Sequence, residues 1–209
     1  MKRDCHAEIA AFLEAEIVPR YDLFDAGHRR DHAHAVMQSA EKLAKFYPEV
    51  DETMLMVAAA YHDVGLEHGR EHHHTDSAAI MRADERLCRW FSPEEINLMA
   101  DAAADHRASA KHEPRTIYGR LLAESDRQID PRTVVLRTMQ YTRTHFPDFN
   151  EEQQWQRLVE HMEAKYAEGG YLRLWIPDSD NATRLAQLRA IIADKPRLRT
   201  LFNSLIKEI

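Results

Sequence analysis

The chain has 209 residues with a formal net charge of −7, enough for a real core and without the basic footprint of a phosphate-driven nucleic-acid binder. Six glycines and eight prolines are few, which favours helix almost throughout, and two cysteines, Cys5 and Cys88, make neither a disulfide framework nor a CxxC pair. The opening MKRDCHAEIA has no apolar signal core, and the longest apolar run, Met54–Tyr61, is too short to span a bilayer. A cytoplasmic protein without membrane association is expected.

Asp4 to Val18 reads as an amphipathic helix with Ile9, Phe12, Leu13 and Ile17 on one face, stopped by Pro19. Gly27 precedes a long helix that Pro48 terminates, and its core-facing stripe is His28, His32, Val36, Ser39/Ala40 and Leu43. Asp51 caps the next helix, whose stripe Leu55, Ala58, Ala59 and His62 carries an imidazole into the core. Asp63 follows directly, and Gly65 can break the helix. GLEHGREHHHTD is a polar, His-rich loop, with Thr75 or Asp76 capping a helix over 77–90.

Ser92-Pro93-Glu94-Glu95 is a strong helix start, and Ile96, Met99, Ala103 and His106 form the stripe that follows. ASAKHEP is a loop. Residues 115–129 predict a helix in which Tyr118, Leu122 and Asp126 share a line. Asp130-Pro131 starts a helix to about Thr144. A further helix covers 151–167 and closes at Gly169-Gly170. An extended link, YLRLWIPDSDN, leads to two final helices near 181–193 and 196–207. With no strand alternation and no repeat, the expected fold is all-α.

Four helices thus each place a metal-capable residue on an inner face: His32, His62 with Asp63, His106 and Asp126. A lone histidine or aspartate at such a position is usually core filler or a cap. Four together point to a site of imidazole and carboxylate ligands without thiolate, which suits a divalent or iron site better than structural zinc.

The order His…His-Asp…Asp resembles the HD superfamily of metal-dependent phosphohydrolases, closest to small single-domain bacterial HD hydrolases. The matching residues are His32 in HAHAV, His62-Asp63 in YHDVG and Asp126 in LLAESDRQID, and the resemblance spans roughly residues 20–135. It implies an HD-domain helical bundle over 1–135, with 136–209 as a helical extension packed on that core in one compact unit. Members with two metals add a histidine after the HD pair and another from the next helix. His106 fits the second. The loop offers His72, His73 and His74 for the first, and the usual spacing before a small pair (Ser77-Ala78) selects His73.

The implied cofactor is one or two divalent metals per chain: Mn, Mg, Ni, Zn or Fe. The implied activity is hydrolysis of a small phosphoester or nucleotide by metal-activated water, with Asp63 and His28 in catalytic roles. Leu66 stands where HDxGK members carry a phosphate-contacting lysine, so Arg29 beside His28, together with Arg107, Lys111 and Arg115, is expected to meet a small anionic substrate. Two rival readings remain open: an HD-type di-iron oxygenase, which uses the same four-His, two-Asp count, and a non-catalytic nucleotide-binding regulatory module. The assembly state is open as well, a homodimer included.

Overall fold

A computed structural model of the chain describes residues 4–25, 27–110 and 112–208. Among these residues the fold is all-α, with ten α-helices and no strand. No helix there is long and apolar enough to cross a membrane. The chain forms two compact units, Met1–Asp126 and Arg127–Ile209. The division expected at 135/136 would cut through a helix, Pro131–His145; the chain parts instead between Asp126 and Arg127.

The first unit contains α1 (His6–Phe12), α2 (Arg30–Ala44), α3 (Glu52–Tyr61), α4 (His73–Ala83), α5 (Pro93–Asp105) and α6 (Ile117–Asp126). Its centre is α3, where every residue except Glu52 and Met56 is buried, as a helix apolar on all sides must be. It packs against α2, α5 and α6. Asp51 caps α3 as its sequence predicts, accepting from the Thr53 and Met54 amides at 2.9 and 3.2 Å. Runs of alanine, Ala58–Ala60 on α3 and Ala100, Ala102 and Ala103 on α5, are all fully buried. Small side chains let these two helices approach closely and bring their C-terminal ends together.

Several element boundaries differ from the sequence reading. Pro19 does not stop the first segment: α1 passes into a π-helical turn, Leu13–Ile17, and then a 3-10 helix, Val18–Leu23, with Pro19 in its first turn. Proline fits that position because it carries no N–H to be left without an acceptor and its ring holds φ near the helical value. The second helix starts at Arg30, so His28 lies ahead of it rather than on its stripe. The helix expected from Ser77 begins at His73 and ends at Ala83. Asp84 then caps a separate 3-10 helix, Glu85–Arg89. Gly65 has φ outside the left-handed region and breaks nothing by torsion; it sits in a 3-10 helix, Val64–His68. It is needed for close approach: a Cβ there would fall 2.2 Å from the His73 carbonyl oxygen and 2.5 Å from the Ser77 amide.

At α5 the capping box is complete, with Ser92 Oγ accepting from Glu95 N at 3.3 Å and Glu95 Oε2 from Ser92 N at 2.8 Å. The second unit holds α7 (Pro131–His145), α8 (Glu151–Tyr166), α9 (Asn181–Ala193) and α10 (Lys195–Leu205) around Met139, Leu158, Met162, Leu188, Leu198 and Phe202.

Candidate metal centre

Five helix ends of the first unit meet at one place. His32 comes from the first turn of α2, His62 from the C-cap of α3 and Asp63 directly after it. His73 opens α4, His106 is the C-cap of α5, and Asp126 is the last residue of α6. His32, His62, Asp63 and His106 are buried, whereas Asp126 keeps about a quarter of its side-chain surface exposed, 25%.

The two oxygens of Asp63 face two different sets of partners. Its Oδ2 lies 3.3 Å from His62 Nε2 and 3.6 Å from His32 Nε2, and those two nitrogens are 3.2 Å apart. Asp126 Oδ1 joins this half at 3.3 Å from His32 Nε2 and 3.8 Å from His62 Nε2. The other oxygen of Asp63, Oδ1, lies 3.4 Å from both His73 Nε2 and His106 Nε2. Two ligand groups able to hold a metal share this one carboxylate: His32, His62, Asp63 and Asp63, His73, His106.

Three of the imidazoles are fixed from behind. The Nδ1 atoms of His62, His73 and His106 lie 2.7, 2.8 and 2.6 Å from the carbonyl oxygens of Ala59, Arg70 and Ala103. A carbonyl accepts only, so Nδ1 carries the proton there and Nε2 presents its lone pair to the cluster. Lone pairs and carboxylates converging in a buried space repel one another unless positive charge lies among them, and protons or a cation supply it. Burial pushes the His32 imidazole down, but the hydrogen bonds and charges of Asp126 and Asp63 outweigh it and hold its pKa up at about 9. Burial likewise opposes His62, which Asp63 raises. Asp63 itself is pushed up by burial, yet His62, His106 and His32 hold it well below the carboxylate range. His73 goes the other way, lowered to about 4 by burial and by His106. The donor set fits a divalent cation, which would neutralise the carboxylates without needing protons on the rings.

Residues 29–130 match the model of a protein family described as HD domain. This part of the chain is an HD domain. Neither a curated protein nor a solved structure matches the chain. HD domains are commonly metal-dependent hydrolases, and all six clustered residues fall inside the matched stretch.

The remaining sequence-selected residues divide. His28 stands beside the HD domain's first histidine, with ring centroids 5.6 Å apart, and its Nδ1 lies 2.7 Å from Asp25 Oδ1. Arg29 is exposed at the residue preceding α2. Arg107 donates to the Glu71 carbonyl at 2.8 Å, and its charge helps lower both His73 and His74. Arg115 is committed elsewhere: its Nε lies 2.9 Å from Asp105 Oδ2, a buried carboxylate, and its Nη1 is 3.2 Å from Asp101. Lys111 lies outside the described residues.

Sequence reasoning passed over Tyr21. Its hydroxyl, fully buried, reaches the HD pair from a segment that precedes the HD domain. Nothing in PRYDLF marks that long-range contact.

Proposed function

We propose that the chain is a metal-dependent phosphohydrolase acting on a small phosphoester or nucleotide. The observation that carries this reading is the division of Asp63, with Oδ2 toward His32 and His62 and Oδ1 toward His73 and His106. Such a carboxylate suits two cations, Asp126 completing the first half; Mn, Mg, Ni, Zn and Fe are all compatible with nitrogen and oxygen ligands. A bound cation supplies a coordinated water acidic enough to ionise near neutral pH and polarises a phosphoryl oxygen.

The chain's own residues supply the rest. Asp63 orients what binds on either side of it. Asp25 accepts from Nδ1 of His28, which leaves the Nε2 lone pair free to orient a water or a substrate hydroxyl. Arg107 and Arg29 are the cations proposed to meet the anionic substrate; Arg115, taken by Asp105, is withdrawn from that role. The net charge of −7 favours a small anion over a nucleic-acid polymer.

The same four histidines and two aspartates favour one alternative, an oxygen-activating di-iron enzyme. A screen of phosphomonoesters, phosphodiesters and nucleotides with Mn2+-loaded protein tests the first reading, with Asp63→Ala as control. Phosphate or nucleotide release by wild type and none by the variant supports it. Oxygen uptake by iron-loaded protein with no phosphoester turnover would replace it with the second.

A further inference from the structure

The segment just before the HD domain is fastened to the stretch that follows the HD pair. Arg20 pairs with Glu67 at 2.5 Å, and Asp25 with Arg70 at 2.8 Å. Between these two ties stands Tyr21, fully buried in the 3-10 helix Val18–Leu23. Its hydroxyl donates to the Ala60 carbonyl at 2.9 Å and accepts from the Asp63 amide at 3.2 Å. The same oxygen lies 3.4 Å from His62 Nδ1.

This is the place where α3 ends. A helix end leaves carbonyls and the following amide without backbone partners, and in a core each must find one. Here one phenol oxygen serves both Ala60 and Asp63. The Asp63 backbone leaves the helix at φ −114° and ψ 4°, which aims the carboxylate between the two histidine sets. A phenol hydroxyl both donates and accepts, so a single group can serve the carbonyl and the amide together.

We infer that Tyr21 is a positioning residue of the metal centre, supplied from outside the HD domain, which fixes the His62-Asp63 pair through one shared hydroxyl. The inference rests on the metal-centre reading given above. Partners one step behind metal ligands typically affect metal affinity by about 10–100-fold.

Tyr61 provides the comparison. It is the residue before His62, equally buried, and its hydroxyl donates to Asp84 Oδ2 at 2.6 Å rather than to the HD pair. Full-length wild type, Tyr21→Phe and Tyr61→Phe would be stripped by chelator and titrated with Co2+. The visible absorption of bound Co2+ is followed, and thermal unfolding of each stripped protein is recorded alongside. Both variants are expected to melt lower. Only Tyr21→Phe is expected to bind Co2+ about tenfold more weakly or worse, with an altered Co2+ spectrum. Equal affinity and spectrum in Tyr21→Phe and wild type would overturn the inference, as would equal losses in both variants. Arg20→Ala, which frees one tie on the surface, is a second probe should Tyr21→Phe not fold. Weaker Co2+ binding is expected from it, and unchanged binding counts against the inference. A wild-type chain that takes up no Co2+ overturns the metal-centre reading itself, and Tyr21's role with it.

Discussion

His73 Nε2 lies 3.4 Å from Asp63 Oδ1, the carboxylate oxygen turned away from the nearest approach of His32 and His62. The contact joins the start of α4 to the end of α3 and gives the cluster its second half. His73→Ala removes one of only two imidazoles on that side and leaves His32, His62 and Asp126 in place. About one bound metal per chain is therefore expected where wild type holds about two. Elemental analysis of Mn2+-loaded, desalted protein checks this.

Gly65 controls whether that half can form. A methyl group there would press on the His73 carbonyl, the Ser77 amide and Asp76 Cβ at 2.2, 2.5 and 2.8 Å, and two of the three are backbone that cannot swing aside. Gly65→Ala is expected to cost at least about 1–3 kcal/mol, read as a lower denaturant midpoint. Second-site metal affinity should fall with it, because the first turn of α4 must move.

Arg115 is predicted to matter for stability rather than for substrate. Its guanidinium partners the buried Asp105, although half of Arg115 itself is exposed, 50%. Removing it takes the cation from that carboxylate and leaves the Arg115 backbone amide, 2.8 Å from Oδ2, still donating to it. Arg115→Ala should cost about 1–3 kcal/mol, discounted from a fully buried pair for the exposed partner. KM measured well below the melting temperature should stay unchanged.

The second unit carries its own pH dependence. Burial, then the charges of Lys165 and Arg157, lower His161 to about 4 from the usual 6.5. The fold favours the neutral ring, so its contribution is complete above about 6.5 and is lost as pH falls toward 4. The loss is on the order of 1–3 kcal/mol. Thermal unfolding at pH 7 and pH 4.5 should show wild type losing more than His161→Phe over that interval.

Much of this was legible in the sequence because it is local. Ser92-Pro93-Glu95 and Asp51 announce their helices by capping chemistry, and α3 announces its central place by an unbroken apolar run. The helical spacing that carries His106 and His62 to the ends of buried stripes is equally local. What escaped depends on contacts across the chain. His28 and His32 are four apart and read as one stripe, but α2 begins only at Arg30, and Asp25 holds His28 outside it. Three consecutive histidines with Thr75 and Asp76 read as a polar loop, yet α4 starts at His73 without a side-chain cap. Arg115 resembles a free basic residue until Asp105 is seen beneath it, and Tyr21 is one aromatic among many until α3 ends against it.

The most direct test of the central claim, a metal centre organised on Asp63, is metal content per chain. Wild type and Asp63→Ala, purified without added metal and again after loading with Mn2+ or Fe2+, would be compared by elemental analysis. The account predicts about two ions per loaded wild-type chain and close to none in Asp63→Ala, with both proteins folded by circular dichroism. Loaded wild type without bound metal, or Asp63→Ala retaining the wild-type amount, would contradict it.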